Sequence, residues 1–206
     1  KDAIKLYKEL KERSLLTDET RLAYVEALAW DKQYDSALKE LEPLSKKPQV
    51  SPEVAKIEGQ ILAWSGQVEQ ALPRLREALK ANPKDDQLRL DLAAALLGAQ
   101  KQDEAIEVMK GLSDKGAKDI KAINLRCDIL ASQKKYTQAI ELLKAGVQNH
   151  PDDEALNVRL GELLSWNQQL DDAIAVHRKV LSKHGDRQAV RIKLADGKER
   201  QLRATV

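Results

Sequence analysis

The sequence predicts an all-α stack of helix hairpins, and three observations carry that prediction. An alanine returns every 34 residues, at Ala3, Ala37, Ala71, Ala105, Ala139 and Ala173, and each is followed at once by Ile or Leu. Within each period, apolar residues recur at helical spacing in two stretches separated by a short polar turn, such as Gly66-Gln67, Lys134-Lys135 or Asn167-Gln168. The composition is 42% hydrophobic but only 3% aromatic, with no Phe, which points to aliphatic packing between helices. A strict period of this kind means that each unit buries its apolar face against its neighbours rather than around a closed core. Function is then expected on surfaces rather than in a pocket.

With the recurring alanine as repeat position 20, the chain reads as five full repeats, 18–51, 52–85, 86–119, 120–153 and 154–187, flanked by half repeats 1–17 and 188–206. Ala3 to Leu10 is a second helix without its first. In every full repeat, position 11 of the first helix is leucine: Leu28, Leu62, Leu96, Leu130 and Leu164. Position 8 is mostly small, as Gly59, Ala93, Cys127 and Gly161, where two helices must approach closely. In the third repeat, Ala105, Ile106, Met109 and Leu112 are expected to form one apolar stripe on a single second helix. Asn82-Pro83 and His150-Pro151 end second helices, because a residue before proline is driven out of the α region. Asp85, Asp86, Asp152 and Asp153 then stand where the next helix needs N-terminal caps. Arg191 to Ala195 is expected to begin an incomplete further unit. The chain opens at Lys1, partway through a repeat, and so reads as a fragment of a longer protein. Its exposed terminal helices are expected to favour end-to-end self-association.

Thirty-five basic and 33 acidic residues give a net charge of +2 and are interleaved, so no one-sign field favours nucleic acid or an anionic membrane. No apolar run reaches the ~20 residues of a membrane span. Cys127 is the only cysteine, which excludes a disulfide framework and a multi-cysteine metal site. His150, His177 and His184 fall in a loop, on a second-helix face and in a loop, without ligand spacing to a cysteine or carboxylate. His177 takes the large apolar position 24 and Cys127 a small packing position, so packing accounts for both better than catalysis. The paired aspartates are explained by capping. No enzyme activity, cofactor or metal is expected.

These residues resemble the tetratricopeptide repeat, whose pattern has a small residue at position 8, an aromatic at 17, alanine at 20, a large apolar residue at 24, a small one at 27 and proline at 32. The 52–85 unit carries it best, with Gly59, Leu62, Gly66, Ala71, Leu75, Ala78, Leu79 and Pro83. Departures are Val25 at position 8, Gln102 at 17, and Gln49, Ala117 and Gly185 at 32. Glu58 and Arg126 stand at position 7, normally apolar, so Ile57 and Leu125 are expected to carry the packing there. The resemblance implies a right-handed superhelical solenoid that binds protein partners on a concave face lined by first helices. A narrower likeness lies in Leu28-Ala29-Trp30, Leu62-Ala63-Trp64 and Leu164-Ser165-Trp166, with tryptophan at position 13. It is similar to tetratricopeptide domains of bacterial outer-membrane exopolysaccharide exporters of the cellulose, poly-N-acetylglucosamine and Pel types. That likeness implies a periplasmic scaffold docking polymer-modifying enzymes or other secretion components. A general adaptor in the cytoplasm, binding a peptide or partner helix in its groove, is the alternative.

In the family, positions 2, 5, 9, 12 and 13 face the groove. The partner-binding candidates here are Trp30, Trp64 and Trp166 with Glu26, Lys56, Gln60, Asn124, Asp128 and Glu162, and Ala29, Leu90 and Ser165 also fall on groove positions. Two readings of the tryptophans stand: anchors for a partner, or side chains packed on the adjacent helix with the indole N–H kept wet. The carboxylate clamp of some family members needs lysine at position 5 and asparagine at 9 in neighbouring repeats. Lys56 with Gln60, followed by Leu90 with Ala94, does not supply it.

Overall fold

The computed structural model describes residues 2–184, 190–193 and 199–202. The described helices are α1 (Asp2–Glu12), α2 (Asp18–Trp30), α3 (Tyr34–Ser45), α4 (Pro52–Trp64), α5 (Val68–Ala81), α6 (Asp86–Gly98), α7 (Gln102–Met109), α8 (Asp114–Ala117), α9 (Ile120–Ser132), α10 (Tyr136–Asn149), α11 (Glu154–Trp166) and α12 (Leu170–His184). Two strands follow, β1 (Val190–Lys193) and β2 (Glu199–Leu202). The five repeats appear as the hairpins α2/α3, α4/α5, α6/α7, α9/α10 and α11/α12, which is the helical repeat fold expected from the period. The chain divides into two compact units, Lys1–Ser113 and Asp114–Val206.

Inside each hairpin the helices meet through three repeat positions. The alanine at position 20 is sealed in all five hairpins, from Ala37 to Ala173. Position 8 faces position 24: a Cβ added to Gly59 would stand 2.7 Å from Leu75 Cγ, and one added to Gly161 would clash with the His177 ring. Small residues at position 8 therefore set how closely two helices can pack.

The intra-hairpin turns share one backbone device. Lys32, Gly66, Gln100, Lys134 and Gln168, all at repeat position 15, have φ between 58° and 82°. Only one of them is glycine, so the other four hold a conformation that disfavours L side chains by about 1–2 kcal/mol. First helices start on side-chain caps: Thr17, Ser51, Asp85, Asp119 and Asp153 each accept from a backbone N–H in the first turn.

In the first unit, α1 leaves Ala3 and Leu6 exposed. Its other side is tied down by charge: Glu40 of α3, 4% exposed, accepts from both Lys11 of α1 and Arg21 of α2. Glu58 at position 7 is met by Arg74 Nε at 2.8 Å, without hydrogen-bond alignment. Burial raises its pKa, Arg74 opposes that, and Glu77 adds to it. Ile57 is buried beside it, as expected.

The third repeat corrects the sequence reading. Helix α7 stops at Met109, so Leu112 does not extend its apolar stripe. The cause is Arg89 of α6, whose guanidinium occupies the space a Cβ on Gly111 would need. Arg89 donates to Val108 O at 3.3 Å and Pro83 O at 2.6 Å. Ser113 then donates its N–H to Asp86 at 3.0 Å and its hydroxyl to the same carboxylate. Asp86 is therefore a staple rather than a helix cap.

In the second unit, Leu125 is only half-buried, and Ala122, Ile123, Cys127 and Ile129 carry the packing of α9 instead. His184 is the last residue of α12 rather than part of a loop. The expected further unit at Arg191 to Ala195 is replaced by an antiparallel pair, with Val190 opposite Leu202 and Lys193 opposite Glu199. Val190-Arg191-Ile192-Lys193 alternates with period two, and Asp196-Gly197 lies between the strands in sequence, which is a hairpin signal rather than a helical one. Ala195 and Gly185 lie outside the described residues.

His177 is fully buried and neither ring nitrogen has a hydrogen-bond partner. Burial alone lowers its pKa. In the unfolded chain the ring takes up a proton below about pH 6.5, whereas the folded chain resists it, so stability falls as pH drops through that value.

Two stability experiments follow from this packing. His177→Leu, which copies the Leu75–Gly59 pair at the same repeat positions, raises stability by about 1–2 kcal/mol at neutral pH. It also flattens the acid decline, which in the parent reaches up to about 1.4 kcal/mol per pH unit; denaturant titrations at neutral and mildly acid pH measure both. At position 15, Gly66→Ala costs about 1 kcal/mol through its φ of 82° although no atom crowds it, while Lys134→Gly is neutral to stabilising in the same titration.

Candidate functional site

Trp30, Trp64 and Trp166 are each the last residue of a first helix, directly before the turn. Their exposures are 84%, 52% and 43%. Trp30 is too open to be a packing residue, and the other two are half in contact with their neighbours.

In the first unit, the other expected partner-binding residues divide by role. Glu26 is exposed one turn before Trp30. Lys56 Nζ lies 2.9 Å from Asp85, the cap of α6, and Gln60 donates to Asp91 at 2.6 Å. Burial acts to raise the Asp85 pKa, but the Leu88 N–H and Lys56 outweigh it and hold the carboxyl below its usual range. Lys56 and Gln60 thus link α4 to α6 and are partly spent on stacking. Two groove positions are sealed rather than presented: Ala29 is 4% exposed and Leu90 1%. They lean toward the next helix, where burying apolar surface outweighs presenting it.

In the second unit, the fold brings Asn124, Asp128, Glu162 and Trp166 together around one groove of about 760 Å³ between α9 and α11. Ala131, Ala155 and Val158 form its apolar lining. Arg159 bridges the two helices, donating to Asn124 Oδ1 at 3.2 Å and Asp128 Oδ1 at 2.5 Å. This residue was missed because position 6 lies outside the groove pattern, although an Arg facing an Asp one repeat earlier was a signal to follow. Ser165, expected in the groove, is fully buried and donates its hydroxyl to Gly161 O at 2.9 Å.

The groups with reactive side chains are placed elsewhere. Burial pushes the Cys127 thiol up to about 11, Arg159 opposing and Asp128 adding, so the sulfur is no thiolate at neutral pH. His150 Nε2 lies 3.0 Å from the Lys118 carbonyl, and His177 is enclosed by packing. Among the described residues, no three His, Cys, Asp or Glu side chains are placed to share a metal, and no helix is long and apolar enough to cross a membrane.

Comparison with known proteins agrees with the hairpin architecture. The MamA 41-end structure from Desulfovibrio magneticus RS-1 is similar at 18% identity and a TM-score of 0.67, over 89% of this chain and 96% of that one. A tetratricopeptide repeat protein from Parabacteroides merdae ATCC 43184 is similar at 13% identity and a TM-score of 0.68, over 88% of this chain and 78% of that one. At these identities the likeness is one of fold. No curated protein matches the sequence. The tetratricopeptide repeat profile matches residues 64–126 and 130–196, and the chain belongs to that family.

Proposed function

We propose that this chain is a non-catalytic scaffold that holds a protein partner on its first-helix faces, with Trp30, Trp64 and Trp166 as anchors. The observation that carries the proposal is the exposure of those three side chains, 84%, 52% and 43%, at one repeated position, whereas the other exposed large apolar residues described, Leu6, Leu15 and Leu170, share no repeat position. Exposed tryptophans are costly to leave in water and are enriched where a partner covers them. A buried thiol and an enclosed imidazole offer nothing for turnover, which is consistent with a binding role.

The Leu-Ala-Trp and Leu-Ser-Trp endings of the first helices further support a periplasmic assembly role in exopolysaccharide secretion, docking polymer-modifying enzymes or other secretion components. A secretory leader and an outer-membrane barrel in the full-length protein would support that assignment. A cytoplasmic catalytic or chaperone domain would replace it with a general adaptor.

Replacing the tryptophans singly by Ala tests the anchoring role. Trp30→Ala leaves stability within about 0.5 kcal/mol, since little of the ring is packed. For a cognate partner, at least one of the three variants weakens binding by about 2 kcal/mol or more, measured by calorimetry beside circular dichroism. Unchanged binding in all three, or binding lost only together with folding, refutes the anchoring role.

A further inference from the structure

We propose that the groove between α9 and α11 recognises a cationic side chain, a lysine or arginine carried on a partner's amphipathic segment, between the Glu162 carboxylate and the Trp166 indole. This rests on the scaffold reading above and narrows the partner it takes.

Ala155, Val158, Glu162 and Trp166 follow one another along the groove side of α11. Glu162 and Trp166 are four residues apart on the helix, so their Cβ atoms are neighbours at about 5–6 Å. Glu162 is half-buried and has no hydrogen-bond or ion-pair partner among the described residues. Among the described residues lining the groove the one cation, Arg159, is directed to Asn124 and Asp128 and not to Glu162.

Three fields then favour a cation at the same place. The carboxylate offers a charge-assisted bond. The indole face attracts an ammonium or guanidinium. Both stand in the last turns of α11, where the helix dipole is negative. An acidic side chain meets repulsion from all three. A divalent metal would require several oxygen ligands, and a single unpaired carboxylate does not provide them.

The rest of the lining sets the company the cation keeps. Val158, Ala155 and Ala131 give an apolar floor, which rewards aliphatic side chains next to the basic one. A volume of about 760 Å³ holds a few side chains rather than a domain. Charge complementarity with an apolar flank therefore selects a short amphipathic basic segment.

Panning a library of random dodecapeptides against the whole chain tests this. Captured peptides are expected to be enriched in Arg or Lys beside Leu, Ile or Val. A chosen peptide should lose about tenfold or more in affinity with Glu162→Gln and with Trp166→Ala, weaken with added salt, and bind Trp30→Ala as it binds the parent. Glu162 and Trp166 are surface-accessible, and circular dichroism confirms that the variants are folded. Enrichment of acidic or uncharged peptides, affinity indifferent to Glu162→Gln, or no capture dependent on the groove overturns the proposal. In that event, partner binding that still depends on Trp30 or Trp64 keeps the scaffold reading intact, so the two fail separately.

Discussion

The constraint on which the structure depends is the close approach of two helices within each hairpin. It is enforced by an alanine sealed at repeat position 20 and, in every hairpin but the first, where Val25 stands, by a small residue at position 8 against a large one at position 24. Once those three positions are satisfied, the remaining apolar residues find partners on the same or the next hairpin, because a stacked unit has only near neighbours to pack on. The third hairpin shows how local the rule is. Ala93, Ala105 and Met109 are all buried as it requires, yet directly after Met109 Arg89 and Asp86 draw the chain off the helical path without disturbing them. The fifth shows its flexibility: His177 is accepted at position 24 because Gly161 yields the space.

Much of the fold was legible because a 34-residue period writes the same instruction repeatedly, and an instruction repeated five times outweighs local noise. The aspartate caps at Asp85 and Asp153 and the helix ends at Asn82-Pro83 and His150-Pro151 were readable from local stereochemistry alone. What escaped was non-periodic. The early end of α7 depends on Arg89 reaching across to Gly111, a contact between residues 22 apart that no helical template contains. The strands at Val190–Lys193 and Glu199–Leu202 escaped because the period was extended past the point where alternation had replaced it.

The surface was legible to a lesser degree. The family's groove pattern placed Trp30, Trp64 and Trp166 outward, and all three side chains are exposed. It also gathered Asn124, Asp128, Glu162 and Trp166 on one groove. It failed for Ala29, Leu90 and Ser165, whose small or apolar side chains lean into the helix interface, and for Lys56 and Gln60, which are engaged by Asp85 and Asp91. A pattern assigns a direction to a Cβ. The polar partner at the end of a long side chain is set by the neighbouring repeat, and its identity is not part of the period.

The Glu40 cluster adds a charged attachment to the apolar one that holds the first helix. Beside the buried Ile4 and the Tyr7–Tyr24 ring contact at 5.6 Å, α1 leans on a carboxylate shared by Lys11, itself half-exposed, and Arg21. Dissolved electrolyte screens chiefly the half-exposed Lys11 end of that grip, since the Glu40 carboxylate is sealed, and leaves hydrocarbon packing nearly untouched. Acid works instead on the last described helix, through the imidazole enclosed there. The first and the last described helices therefore answer to separate features of the surrounding medium, ionic strength for one and acidity for the other.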